Sequence, residues 1–471
     1  MTHYYLIGIC GTAMASLAGM LKARGHEVTG SDAHVYPPMS DELARLGIPV
    51  NLGYDPAHLA HRRPDVVVIG NAIPRGNPEV EYVLEQRWRY ASLPEVLRQE
   101  FLWGRRVLVV TGTHGKTTTT ALAAHVLTVG GLEPTFLVGG VAENFGSSFR
   151  VTASDYVVLE GDEYDTAYFD KGPKFMHYLP EIGIVNNVEF DHADIYPNLD
   201  AVKLAFRRFV NLIPRNGACI VGFDSPHARD VAARAWSPVE GFALDAPDAL
   251  WRADGLEYTA NGMRFRVSRA GMPWATFELP TFGAFNVRNA LSVIAAATRW
   301  GVSPERIATG LATFRAVKRR MEVRGEVGGI TVIDDFAHHP TAVRETLEAL
   351  ARRFPGRPLT AVFEPRSWSS RKRVFQAAYA EAFDAARQVV IAPVFESTKV
   401  AEDDRFSPEQ LRADLTARGK TAVVRAGAEA IVEYLLGHLQ PREVVAILSN
   451  GGFDGLHDKL LQALNRKTSQ G

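Results

Sequence analysis

Cysteine is scarce in this chain: Cys10 and Cys219 are the only two among 471 residues. Two thiols make no disulfide framework, which excludes a small stapled secreted scaffold and fits a reducing compartment. An excess of charge of one sign is also missing. Lys and Arg number 52 against 53 Asp and Glu, a formal net charge of -1, so nothing global attracts nucleic acid or an anionic membrane surface. No apolar run approaches the ~18 residues that a spanning helix needs. The start, "MTHYYLIGICG", lacks a basic segment followed by a long apolar stretch, so no signal peptide is expected. Internal repeats and low-complexity tracts are absent. These absences lead to the expectation of a cytoplasmic enzyme without nucleic-acid or membrane partners. With 46% apolar and 22% charged residues, the chain can build real cores, and its length suggests about three domains.

Short buried-strand patterns alternate with helical ones almost throughout. "YYLIGI", "DVVVIG", "RVLVV", "DYVVLE", "IGIVNN", "RPLTAVF", "QVVIAP" and "EVVAILS" read as strands, and Pro340–Arg353 and Ala428–Leu436 as helices. Such alternation predicts α/β domains with parallel sheets. Leu256–Leu279 breaks the rule: its period of two, with Asn-Gly and Ala-Gly turns, predicts antiparallel hairpins. Boundaries are expected near Trp103–Arg105 and Ala316–Arg320, giving domains of residues 1–104, 105–317 and 318–471.

Phosphate chemistry is written most clearly in "RRVLVVTGTHGKTTTTALAAHVLTVGG". A strand pattern runs into Gly112-x-x-Gly115-Lys116-Thr117, and a helix pattern follows. Glycines let backbone N–H groups turn toward anionic oxygens, and the helix N-terminus adds a favourable dipole. Lys116 can neutralise a β/γ-phosphate charge, and the Thr117 hydroxyl can hold Mg²⁺. The loop is a short form, since Val110 stands where the usual first glycine would be. On its own it suits a switch, a motor, a kinase or a ligase. The guanine-reading Asn-Lys-x-Asp of switch GTPases is absent.

A second nucleotide-like unit opens the chain. Strand, Gly8-x-x-Gly11, helix and a strand ending at Ser31-Asp32 form a Rossmann-like start, which suits a diphosphate on the helix N-terminus, NAD or a purely structural unit. Met14 replaces the third glycine of the dinucleotide fingerprint. Acidic and histidine clusters follow three strand patterns: Glu160, Asp162, Glu163 and Asp165; Glu189, Asp191, His192 and Asp194; Asp334, Asp335, His338 and His339. Polar groups past the C-terminal ends of parallel strands are where α/β sites form, and carboxylate with imidazole can hold Mg²⁺ or Mn²⁺.

Together these segments resemble the Mur ligase family. "TGTHGKTTTT" is similar to its ATP loop, "NNVEFDHADIY" to its Asp-His segment, "GAFNVRNALSVIAAA" to its adenine-site helix, and "KRRMEVRG" with "VIDDFAHHP" to the opening of its third domain. The resemblance spans the chain in order. It implies a three-domain α/β architecture: a Rossmann-like N-terminal domain for the UDP-sugar, a central P-loop ATPase domain, and a Rossmann-like C-terminal domain that closes over ATP and binds the peptide. It implies ATP as co-substrate, Mg²⁺ as cofactor, and an amide bond made through an acyl phosphate. Residue by residue, it implies UDP contacts at Gly8, Gly11, Thr12, Ser31 and Asp32. ATP contacts would come from Gly112, Thr113, His114, Gly115, Lys116, Thr117, Thr118, Asn286, Asn289, Arg320, Asp335 and His338. Lys116, Glu163, His192 and Arg320 would be catalytic, with Thr117, Glu163 and His192 on metal. Within the family, "GSDAHVYPPMSDEL", "GDEYDTAYFDKGPKF", "FEPRS" and "SNGGFDGLHDKLL" resemble the peptide-recycling branch, whose substrates are UDP-N-acetylmuramate and the murein tripeptide. The branch that adds single L-alanine to UDP-N-acetylmuramate usually has Ser where Tyr164 stands. Two residues depart from pattern: Phe285 replaces a common His, and Trp368 an Asn. Lys203 lies near the position where some relatives carry a carbamylated lysine, without aligning to it.

Overall fold

A computed structural model describes residues 1–35 and 39–470. The Tyr-Pro-Pro part of the "GSDAHVYPPMSDEL" segment, residues 36–38, lies outside them. The described residues form three α/β layers in chain order, as the alternating pattern predicts.

Five parallel strands make the first sheet, in the order Val50–Leu52, Glu27–Asp32, His3–Ile7, Val66–Ile69, Tyr90–Ser92. The middle strand ends at Gly8, whose φ of +82° suits glycine and turns the chain into the helix Thr12–Ala23. Ten strands make the central sheet. Its parallel heart is Ala218–Gly222, Ile182–Val185, Arg106–Thr111 and Tyr156–Glu160. One edge carries Trp251–Thr259, Gly262–Arg269 and Met272–Leu279, antiparallel as their period of two predicts, with the first strand starting five residues earlier than the hairpin pattern, at Trp251 rather than Leu256. The other edge is a hairpin of Thr135–Ala142 and Ser147–Arg150. Five parallel strands and the antiparallel Glu322–Val327 make the third sheet.

Packing joins these layers unequally. One apolar core runs without a break from the first sheet into the central one, through Leu97, Phe101, Leu102, Val107 and Val109. The third sheet has its own cores on both faces, and only a few central-domain side chains reach them: Phe282, with Phe190, Ala193, Tyr258 and Phe285 at the margin. Between these units, Arg319 and Met321 both hold positive φ, +62° and +48°, conformations that side-chain-bearing residues adopt only when their surroundings impose them. They bracket Arg320.

Leu102 is 1% exposed at the junction of the shared core. Leu102→Ala should cost about 2–5 kcal/mol and lower the melting of the first and central domains together in calorimetry. A loss confined to the first domain would contradict the shared core.

Candidate active site

The phosphate loop sits where the strand Arg106–Thr111 leaves the central sheet. Gly112 and Gly115 take φ of +136° and +82°. A Cβ on Gly115 would lie 2.6 Å from the Asn289 amide oxygen, so glycine lets the loop lie against the helix Ala284–Arg299. Lys116 opens the helix Lys116–Val129 and folds back over the loop. Its ammonium donates to the Gly112 carbonyl at 2.8 Å and to Glu163 Oε1 at 2.9 Å. Burial opposes this charge, but Glu163, Asp162 and Glu160 outweigh burial and raise the Lys116 pKa.

The carboxylates come from the neighbouring strand ends. Glu160 terminates Tyr156–Glu160, accepts from the Thr117 hydroxyl at 2.9 Å and from Gly139 N–H at 2.7 Å, and has its pKa raised by burial. Asp162 is penalised by burial too, yet Lys174 and Lys116 hold its pKa far below the usual range. Donor atoms of Asp162, Glu163 and His192 lie within 4.8 Å of one another. His192 Nε2 is 3.2 Å from Glu163 Oε1. Burial pulls its pKa down, but Glu163 and Asp191 win and bring it to about 9. Among the described residues Glu163 Oε2 receives no hydrogen bond, although Nζ of Lys116 lies 2.8 Å away outside donor alignment. A buried carboxylate oxygen of this kind, beside a second carboxylate and an imidazole, suits a hard divalent cation.

Above the loop opens a cavity of about 470 Å³ whose wall includes Gly115, Thr118, Asn286, Asn289, Arg320 and Asp335. Central and third domains therefore share it. Asn286 and Asn289 are buried and linked to each other at 3.3 Å. Phe285 also lines the cavity, offering it an aromatic ring. Arg320 reaches back to Thr117 Oγ1 at 3.3 Å. Asp335 accepts from Met321 and Ala337 N–H at 2.7 and 2.8 Å, fixing the entry of the third domain.

Two of the expected site residues, Ser31 and His338, have their side chains engaged within the protein. Ser31 is fully buried and its hydroxyl donates to Glu79, so it braces the first domain. His338 does not line the cavity; its Nδ1 lies 3.1 Å from the Phe336 carbonyl, and it is His339 that packs on His114, ring centroids 4.6 Å apart. Thr117 is engaged by Glu160 rather than by Glu163 and His192. Gly8, Gly11, Thr12 and Asp32 gather at the first-domain loop, where Asp32 accepts from Cys10 N–H at 2.9 Å. Lys203 pairs with Asp230 and takes no part in the site. Ser369 belongs to the site as well. Its hydroxyl donates to Asp191 and accepts from His192 N–H at 2.9 Å, carrying the third domain to the Asp-His segment. Nothing in a Ser-Ser pair among arginines signals that role. Trp368 beside it lies under the Arg371 guanidinium at 4.2 Å.

Family models match all three layers: the Mur ligase family catalytic domain over residues 3–101, the Mur ligase middle domain over 110–297, and the Mur ligase glutamate ligase domain over 319–451. A Haemophilus influenzae protein named UDP-N-acetylmuramate–L-alanyl-γ-D-glutamyl-meso-2,6-diaminoheptandioate ligase is 41% identical over 473 residues, covering 99% of this chain and 100% of its own. The chain belongs to the Mur ligase family. A UDP-N-acetylmuramate–L-alanine ligase of Clostridium acetobutylicum is 32% identical, covering 95% of this chain and 94% of its own. The solved murein peptide ligase of Psychrobacter arcticus superposes with a TM-score of 0.75 at 36% identity, over 99% of each chain. As a Mur ligase the chain is an ATP-dependent enzyme that forms a C–N bond. No helix among the described residues is long and apolar enough to cross a membrane.

Lys116→Ala should abolish ATP-dependent turnover; wild-type activity in that variant would end the ATP-loop assignment. Ser369→Ala removes one charge-assisted hydrogen bond between domains, and kcat/KM should fall roughly tenfold with melting temperature little changed. Unaltered kinetics would show that this contact does not serve closure.

Proposed function

We propose that this chain joins the lactyl carboxylate of UDP-N-acetylmuramate to the alanine amine of L-alanyl-γ-D-glutamyl-meso-diaminopimelate, in the cytoplasm, as a step of peptidoglycan recycling. The observation that carries the reading is the end-to-end 41% match to a protein named for that substrate, against 32–36% for alanine-adding relatives. Tyr164 supports it: this residue, which sets the chain apart from the alanine-adding pattern, meets the His192 ring edge-on at 5.2 Å and bonds to Asp194.

A carboxylate is a poor electrophile. Transfer of the γ-phosphoryl group of ATP to a carboxylate oxygen gives an acyl phosphate and ADP. Attack by the amine then forms the amide, loses a proton and releases phosphate. Two anions must meet in the first step, so catalysis needs positive charge already in position. In this proposal Lys116 and Arg320 supply it, with the N–H groups of Gly112–Thr118 on the phosphates and Asn286 and Asn289 on the adenine side. Gly8, Gly11, Thr12 and Asp32 would carry the UDP end, and Asp335 the ribose side. Glu163 and His192, with Asp162 added by its position and Thr117 once freed from Glu160, would hold Mg²⁺, which screens the phosphate charge when bound. His192 serves as a ligand and not a general base, because an imidazole engaged through Nε2 has no free lone pair there.

ADP release should be fast with UDP-N-acetylmuramate, ATP, Mg²⁺ and the tripeptide, and slow when L-alanine replaces the tripeptide. The reverse preference would make this the alanine-adding enzyme and leave the phosphoryl chemistry standing.

A further inference from the structure

His114, Glu189 and His339 form a second set of donors, separate from Asp162, Glu163 and His192. Two belong to the central domain. His339 belongs to the third and caps the helix Pro340–Arg353. His114 Nε2 lies 3.2 Å from Glu189 Oε2, and His339 Nδ1 lies 3.7 Å from the same oxygen. All three donor atoms fall within 4.8 Å of one another. A tetrahedral zinc ion with bonds of about 2.0–2.1 Å separates its ligand atoms by about 3.4 Å, so two of the three edges stand near the required length.

The surroundings prepare these atoms as ligands. His339 Nε2 lies 3.1 Å from the Phe190 carbonyl, and donation there leaves Nδ1 as the lone-pair nitrogen, 3.7 Å from Glu189 Oε2. The Thr341 N–H donates to that nitrogen at 3.3 Å as the helix cap, and a bound ion would take its place. Such a backbone contact on the far ring nitrogen is what orients metal-bound histidines. The Thr341 hydroxyl in turn fixes Glu189 Oε2 at 2.7 Å. His114 and Glu189 line the 470 Å³ cavity, which leaves a fourth position open to water.

We propose that His114, Glu189 and His339 are a transition-metal site, for Zn²⁺ or an ion of like softness, that fastens the third domain to the central one. Two imidazoles and one carboxylate favour such ions over Mg²⁺. Because the ligands come from two domains, full coordination exists only when these are closed. The ion binds the closed state better and shifts the population toward it. Zinc bound here therefore restrains turnover by slowing reopening, and has no part in the chemical step.

The test is titration of the nucleotide-free, full-length protein with Co²⁺ in excess Mg²⁺, read by the visible absorption of four-coordinate cobalt. One Co²⁺ per chain should bind and be displaced by Zn²⁺. His339→Asn keeps a good helix cap and should weaken binding at least tenfold; Glu189→Gln should do the same, with melting curves confirming that both are folded. His192→Gln, in the other donor set, should leave the band intact. A band that follows His192 instead of His339, or no binding below millimolar Co²⁺, would overturn the site. Zinc should also slow amide exchange over residues 316–320, and unchanged exchange would overturn the fastening.

Discussion

The ammonium of Lys116, buried against Glu163 with Glu160 and Asp162 close by, is the interaction on which the rest of the structure turns. A lone charge taken out of water costs several kcal/mol, and so would the buried Glu163 carboxylate with the half-buried Glu160 and Asp162 beside it. Together they are tolerable, and the arrangement forces Arg106–Thr111 and Tyr156–Glu160 to end side by side. The loop must then bend through Gly112 and Gly115 to bring the amine back over its own backbone. Electrostatics and local chain geometry agree at this one place. The proposed reaction uses the same balance, since an anionic phosphate can take the ammonium that Glu163 now holds and leave that carboxylate for a cation.

The three domains are coupled by different physics. An unbroken apolar core joins the first to the central, so they form one unit that holds the loop of Gly8 and Gly11 in a fixed relation to Lys116. The third is attached mainly through polar contacts: Ser369 to Asp191 and His192, Thr341 to Glu189, Arg320 to Thr117 and Lys372 to the Ala193 carbonyl. Individual hydrogen bonds contribute only about 0.5–1.5 kcal/mol each and exchange readily with water. A seam built of them can open and close, whereas a shared core cannot. The positive φ values beside Arg320 put the conformational strain at the crossing between the two kinds of attachment.

Much of this was legible in the chain. All eight buried-strand patterns form strands, because four to six consecutive apolar, β-branched residues leave little alternative. Val50–Leu52 and Tyr90–Ser92 were invisible, since three residues show no period, and the Thr135–Arg150 hairpin was hidden by its glycines. Lys116, Glu163 and His192 meet as the spacing of glycines and acids after strands suggested. The partners of Ser31 and His338 were not legible for one reason: a polar residue at a strand end can point to either face. Ser31 found Glu79, 48 residues away, and His338 turned toward the Phe336 carbonyl. The Ser369 contact spans 178 residues and depends on how two domains dock, which no local pattern encodes.

The most direct measurement of the central claim is the fate of oxygen. UDP-N-acetylmuramate labelled with ¹⁸O in its lactyl carboxylate would be turned over with ATP and the amine substrate, and the released phosphate examined by mass spectrometry. An acyl phosphate intermediate carries one carboxylate oxygen into phosphate, so one ¹⁸O should appear in each phosphate released. Label found only in the amide and unreacted acid, with none in phosphate, would contradict phosphoryl transfer to the carboxylate and the account of the site built on it.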